Sequence, residues 1–312
     1  MTVRDPAELL DAACAGNRPA LARLLSLVER GGDGAAEVGR LAHPLGGTAY
    51  VVGITGSPGA GKSTLTNALC GEVRAVGSTV AVLAIDPSSP FSGGAILGDR
   101  IRMGEHSLDE GVFIRSMATR GHLGGLALAT PAAIRLLDAV GTPWVIVETV
   151  GVGQVEVEVA GAADTTVVVV NPGWGDAVQA NKAGLMEIAD VFVINKADRP
   201  GAGDTRRDLE QMLSLQIGEG WRPAIVETSA VEGRGIGELW EAVAEHRRHL
   251  SATGELDVRR ERRVRDELRR IVAARLAERA GVVAEGHRFD EAVSAVLART
   301  DDPWHAAGVL IG

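Results

Sequence analysis

Short runs rich in valine and isoleucine recur along the middle of the chain, separated by polar or glycine-rich stretches. Ala49–Thr55 (AYVVGIT), Val80–Ile85, Trp144–Val147, Thr165–Val170, Asp190–Asn195 and Ile225–Thr228 have the length and β-branched content of buried parallel strands. Ser63–Cys70 (STLTNALC) opens a helix directly after the first of them. The alternation of strand and helix over residues 46–250 predicts an α/β domain with right-handed crossovers and a mostly parallel sheet. Outside that core the pattern turns helical. In residues 1–45, Asp5 can cap a helix with Pro6 at its first position and Glu8 reaching back. Leu21, Leu24, Leu25 and Val28 then share one helical face, and Gly31–Gly34 breaks the pattern. In residues 251–312, Val264, Leu268, Ile271, Val272 and Leu276 mark one apolar face, and Phe289, Val293, Val296 and Leu297 a second. Asp302-Pro303 can start a last short helix. Three regions result: an N-terminal helical extension (1–45), the α/β core (46–250) and a C-terminal helical region (251–312).

The junction of the first strand and helix carries the clearest chemistry. Gly56, Ser57, Pro58, Gly59, Ala60, Gly61, Lys62 and Ser63 complete a G-x-x-x-x-G-K-[ST] loop, with Thr64 behind it. In such a loop consecutive backbone N–H groups point inward at a polyphosphate, and the helix N-terminus adds its partial positive charge. Lys62 would reach the outer phosphates and the Ser63 hydroxyl would ligate Mg²⁺. A glycine-rich strand-to-helix turn with a chance lysine is the plain alternative, but all four fixed positions stand between a strand and a helix.

A second motif selects the base. The Asp190–Asn195 run ends in Asn195-Lys196-Ala197-Asp198, an N-K-x-D element. The Asp198 carboxylate can accept from both the N1–H and the exocyclic amine of guanine. Against adenine it would be desolvated without a donor, a cost of roughly 1.5–3 kcal/mol. Lys196 can lay its stem along the base, and Asn195 can tie this loop to the phosphate loop. Behind the last strand, Thr228-Ser229-Ala230 offers a backbone amide to the guanine oxygen. The expected ligand is therefore GTP or GDP rather than an adenine nucleotide.

Carboxylates at strand ends suit Mg²⁺, a hard cation with oxygen ligands. Asp86 follows the Val80–Ile85 run in Asp86-Pro87-Ser88-Ser89. Asp99 opens Asp99-Arg100-Ile101-Arg102-Met103, and Glu148 begins Glu148-Thr149-Val150-Gly151. The plain alternatives are Asp86 as the cap of a turn, Asp99 as a solvated charge and Glu148 as half of a structural ion pair. These blocks, with Ile114–Leu126 (IRSMATRGHLGGL), occur in an order that resembles the MeaB/ArgK family of P-loop GTPases, from about Gly46 to Leu250. The resemblance implies the SIMIBI class of nucleotide-dependent dimers. It also implies Asp86, Asp99 and Glu148 at the metal site or its switches, Gly151 among the nucleotide-binding residues where small GTPases have the glycine of D-x-x-G, and a further switch over Asn171–Gly184. In that last segment Asp176 and Lys182 are the positions to test.

Hydrolysis needs positioned water and neutralised charge more than covalent chemistry. Val152 stands where small GTPases place a glutamine, and Gln154 comes later. Gln154 is a candidate for positioning the water, with Asp86 through the metal shell and Lys62 and Glu148 completing the catalytic set. A polar residue opening a helix explains Gln154 equally well. Slow turnover, accelerated when a partner orders the switches, is the expectation. By resemblance the partner is an adenosylcobalamin-dependent acyl-CoA mutase, methylmalonyl-CoA mutase foremost. The chain would act as its chaperone, gating cofactor loading and protecting the mutase. No segment reads D-x-H-x-x-G, so adenosylcobalamin would be held by the partner. The resemblance places the other subunit of a homodimer against the C-terminal helices; packing on the chain's own core is the alternative.

Composition narrows the remaining classes. The net charge is −9 over 312 residues, which argues against a general nucleic-acid surface. In the Arg259–Arg263 run and beyond it, Asp266, Glu267 and Glu278 interleave with the arginines, which fits a solvated amphipathic helix better than an RNA-binding arm. Aromatic residues are only 3%, so the core must be built from Ala, Val, Leu and Ile. Cys14 and Cys70 give no disulfide framework and no soft-ligand cluster, which counts against a metallochaperone GTPase for a nickel enzyme. The N-K-x-D element counts against a transport-related protein kinase, and a nucleotide-bound scaffold would bind without stimulated turnover. No apolar stretch approaches a membrane span and no signal-peptide pattern opens the sequence, so a cytoplasmic location is expected.

Overall fold

A computed structural model describes residues 5–87, 106, 108–119, 125–149, 159–173, 184, 187–215 and 220–311. They divide into two units, Met1–Arg263 and Val264–Gly312.

The first unit is built on β1 (Tyr50–Gly56), β2 (Val80–Pro87), β3 (Val112–Thr119), β4 (Trp144–Thr149), β5 (Thr165–Val170), β6 (Val191–Asn195) and β7 (Ala224–Thr228). Every pairing is parallel, in the order β3-β2-β4-β1-β5-β6-β7. Strand β3 is absent from the sequence reading. It is an edge strand whose Arg115, Ser116 and Thr119 interrupt the apolar run, and pairing with β2 over eight registers decides it.

Side chains alternate between the faces. Val145 and Val147 of β4 join one apolar layer, Trp144 and Ile146 the other. The first layer includes the N-terminal helices α1 (Pro6–Cys14), α2 (Arg18–Arg30) and α3 (Gly32–Ala42), packed against α5 (Gly125–Ala139). The opposite face is covered by α4 (Lys62–Ala75) and α7 (Ile236–Thr253). Helix α6 (Ala202–Ser214) covers the back of β5 and β6 through Leu209 and Leu213 on Phe192 and Ile194.

Local chemistry sets the helix starts. The Asp5 carboxylate accepts from the Ala7 amide at 3.1 Å with Pro6 in the first turn, and Asn17 caps α2 by accepting from the Ala20 amide at 2.9 Å. Helix α3 was not expected, because Gly31–Gly34 reads as a breaker. Gly31 and Gly32 do break the chain, with φ 75° and 69°, but Gly34 lies inside the helix that Gly32 opens, where Val38 and Ala42 are buried. Burial of that face outweighs roughly 1 kcal/mol of helix propensity lost per glycine.

Helix α8 (Glu255–Val283) begins in the first unit. The second unit holds its remainder, α9 (His287–Leu297) and α10 (Pro303–Ile311). On α8, Val264, Leu268, Val272 and Leu276 are exposed and recur at intervals of four. Among the described residues no helix is long and apolar enough to cross a membrane.

Candidate functional site

The strand order places β1 between β4 and β5, and the carboxyl ends of β1, β4, β6 and β7 open on the same edge of the sheet. Crevices outside the carboxyl ends of such strands are where open α/β sheets bind ligands. Strand β1 feeds the loop Gly56–Gly61, and α4 starts at Lys62. Three glycines give the loop its path: Gly56, Gly59 and Gly61 have φ of 132°, 70° and 86°. A β-carbon at Gly56 would overlap the Val169 carbonyl of β5, to which the Ser57 amide donates at 3.2 Å. One at Gly61 would collide with the Asn195 side-chain amide.

Lys62 is nearly buried, and its ammonium donates to the Gly56 carbonyl at 2.7 Å and the Ser57 carbonyl at 3.1 Å. The cation is thereby held across the mouth of its own loop. The Ser63 hydroxyl donates to Oε1 of Glu148, a buried carboxylate near the carboxyl end of β4. Beneath this pair the Thr149 hydroxyl donates to that of Thr55 at 3.2 Å. A hydroxyl and a carboxylate within contact are hard oxygen donors, so the set fits Mg²⁺. Ser63 and Glu148 are the described side chains that would hold it.

The second loop is tied to the first. Asn195, 2% exposed at the end of β6, donates through its side-chain nitrogen to the Ala60 carbonyl at 2.7 Å. Its side-chain oxygen accepts from the Thr228 hydroxyl at 3.0 Å and the Ala230 amide at 3.2 Å. One side chain thus joins three loops. Lys196 has φ 62°, and its ammonium donates to the Gly59 carbonyl at 2.6 Å. Asp198 accepts from the Ser229 hydroxyl at 2.9 Å. That hydroxyl foremost, then its own backbone amide, holds the Asp198 carboxyl below the usual carboxylate range, so it presents a charged acceptor.

The structure therefore assembles Gly56–Ser63, Glu148, Asn195, Lys196, Asp198, Ser229 and Ala230 around one edge of the sheet, with Thr64 in the first turn of α4. Asp86 is the residue before the last of β2 at that edge, but its side chain lies outside the described residues, as do Asp99, Gly151, Gln154, Asp176 and Lys182. Thr55, Thr149 and Thr228 carry hydrogen bonds at the site that the sequence reading did not assign. The available signal was a hydroxyl closing an otherwise apolar strand.

The two cysteines are poor candidates for a soft metal. Burial pushes the Cys70 thiol up to about 12, with Glu148 adding to the shift, and burial raises Cys14 as well. The thiolate is the metal ligand, and both remain thiols at neutral pH. Among the described residues no group of three histidine, cysteine or acidic side chains converges to hold a metal.

The family model described as Methylmalonyl Co-A mutase-associated GTPase MeaB matches residues 21–285. This chain belongs to the MeaB family. A Pyrococcus abyssi protein provisionally named a GTPase is 51% identical over 308 residues, 97% of this chain and 95% of its own length. The mouse methylmalonic aciduria type A homolog, a mitochondrial protein, is 40% identical over 217 residues, covering 68% of this chain and 52% of the mouse protein. The crystal structure of an LAO/AO transport system kinase superimposes with a TM-score of 0.74 at 29% identity, over 99% of this chain and 97% of that one. The MeaB-family chain is thus a P-loop GTPase with an all-parallel seven-stranded sheet.

Proposed function

We propose that this MeaB-family chain is a GTP-hydrolysing chaperone of an adenosylcobalamin-dependent acyl-CoA mutase, methylmalonyl-CoA mutase being the foremost choice. The observation that carries the nucleotide part is the Asn195 bridge, which fixes the N-K-x-D loop against the phosphate loop at 2.7 Å. The mutase part rests on the family description and on the mouse relative.

The residues divide the work. Backbone amides of Gly59–Ser63 and the N-terminus of α4 receive the phosphates. The Lys62 ammonium leaves the carbonyls of Gly56 and Ser57 for the outer phosphate oxygens, a stronger charge-assisted partner. Mg²⁺, when bound, neutralises charge on the phosphates. Ser63 and Glu148 would hold it, with Asp86 and Asp99 as the further acidic ligands expected from the sequence. The Asp198 carboxylate reads guanine, with Ser229 steadying it and the Ala230 amide at the purine oxygen. Gln154 positions the attacking water. Because Val152 stands where small GTPases place a glutamine, turnover is slow alone and rises when the partner orders the switches.

The exposed apolar residues of α8 supply the surface for a second copy in a homodimer. The corrinoid is held by the mutase. The test mixes purified chain with methylmalonyl-CoA mutase and follows complex formation and phosphate release together. A nucleotide-dependent complex with accelerated release is expected; the absence of both refutes the chaperone role.

The likeness to the LAO/AO transport system kinase keeps one rival in view. Labelled GTP that yields phosphoprotein rather than free phosphate would favour that rival.

A further inference from the structure

At the sheet edge opposite the nucleotide pocket, two buried carboxylates tie neighbouring strands together. Asp164, immediately before β5, accepts from the Val51 amide of β1 at 2.9 Å. Asp190, immediately before β6, accepts from the Thr166 amide of β5 at 2.8 Å. Each side chain adds one rung to the ladder beyond the point where backbone pairing begins, so β1, β5 and β6 are cross-linked at their starts.

Three arginines from the first turns of α8 neutralise these carboxylates. Arg259 forks onto both oxygens of Asp190 at 2.9 and 3.0 Å, and reaches the Asp164 carbonyl at 3.1 Å. Arg260 contacts Asp164 at 3.4 Å and donates to the Ala49 carbonyl at 2.9 Å. Arg263 pairs with Asp164 and with the Ala163 carbonyl. Behind Asp190 the Trp221 indole donates to its carbonyl at 2.8 Å, and His246 Nε2 lies 3.3 Å from its carboxylate. His246 continues through Thr165 to the Tyr50 hydroxyl at 2.8 and 2.6 Å.

The strands fastened here are the ones that carry the pocket. Strand β1 ends in Gly56 of the phosphate loop, β5 supplies the Val169 carbonyl that receives the Ser57 amide, and β6 ends in Asn195. We propose that Arg259, Arg260 and Arg263 are positioning residues for the nucleotide: by clamping the starts of β1, β5 and β6 they fix the relative height of the phosphate and guanine loops at the other end. This rests on the nucleotide-pocket reading above. Without its arginine, a buried carboxylate must take up a proton or admit water, and either loosens its hold on the neighbouring strand's amide. Short parallel strands buried on both faces transmit that slack along their length instead of absorbing it.

The experiment measures release of a fluorescent GDP analogue from the full chain at a temperature well below unfolding. The variants are Arg259→Gln, Arg263→Gln and the double substitution. Release from the double variant is expected to accelerate about fivefold or more, with Arg263→Lys intermediate because it keeps charge and loses the fork. Leu24→Ala, in the buried face of α2, serves as a control of comparable thermal loss and is expected to stay within about twofold of the unaltered chain. Unchanged release in the arginine variants, while hydrogen exchange at the Val51 and Thr166 amides speeds up, overturns the proposal alone. Equal acceleration by Leu24→Ala also overturns it, since the effect is then global. If the double variant does not fold, the two single variants decide by the same criterion. An unaltered chain that holds no GDP overturns the pocket reading and this proposal with it.

Discussion

Asn195→Ala perturbs the point where three loops meet. The side chain makes hydrogen bonds of 2.7, 3.0 and 3.2 Å and is 2% exposed. Truncation leaves the Ala60 carbonyl and the Ala230 amide without partners, while the Thr228 hydroxyl can rotate toward another acceptor. With about 1–3 kcal/mol for each stranded group, and partial relief from water entering the space, the expected destabilisation is about 2–4 kcal/mol. For a unit of this size that corresponds to a fall in Tm of about 4–8 °C. Affinity should suffer independently, because the free phosphate loop loses its tether and must be ordered on binding. A loss of about tenfold in GTP affinity, or about 1.4 kcal/mol, is expected. Differential scanning calorimetry and isothermal titration with magnesium GTP measure the two effects. Asn195→Asp sharpens the test: it keeps the acceptor for Thr228 and Ala230 but sets a carboxylate against the Ala60 carbonyl. Its Tm should fall as far as that of the alanine variant. If Asn195→Ala leaves Tm within about 1 °C and affinity within about twofold, the side chain is not the tie that the geometry describes.

Lys62→Ala removes the only lysine of the phosphate loop. GTP binding should weaken and phosphate release fall to background while circular dichroism stays unchanged; retained turnover would assign catalysis elsewhere. Asp198→Asn should cut the preference for GTP over ATP by roughly 10–150-fold, following from 1.5–3 kcal/mol for an unsatisfied base contact; competition binding reads it, and an unaltered preference refutes the base assignment. His246 has its own pH signature. Burial lowers it to about 4, against 6.5 ordinarily, despite Asp190 nearby. The unfolded chain therefore binds the extra proton between those values and the folded chain does not, so stability rises with pH across that window. The full effect is up to about 3 kcal/mol, present above the unfolded value and lost as pH falls toward 4. Thermal unfolding from pH 7 to pH 4.5 should show the fall, and His246→Gln should flatten it; an equal slope in the variant rejects the assignment (about 2 °C resolves it).

Elements that depend on local chemistry are legible in the chain alone. A loop built from Gly56, Gly59 and Gly61 needs left-handed or otherwise forbidden backbone angles, so its glycines are legible without knowing the fold. Uninterrupted valine runs such as Thr165–Val170 can only be strands covered on both faces. Asp5 and Pro6 announce the start of α1 through bonds made within three residues. What lay beyond reach were features whose energy comes from residues far apart in the chain. Strand β3 exists because β2 accepts it at the sheet edge, and α3 because its Val38 and Ala42 find a covered face. Nothing near Asp164 in the sequence reveals that Arg260 and Arg263 answer its charge from about a hundred residues away. The same holds for Ser63 and Glu148, separated by the whole of β2, β3 and α5 and brought into contact by adjacent strands β1 and β4. Motifs record what a backbone segment must do alone; pairing of buried charges and packing of edges are settled only when the sheet closes around them.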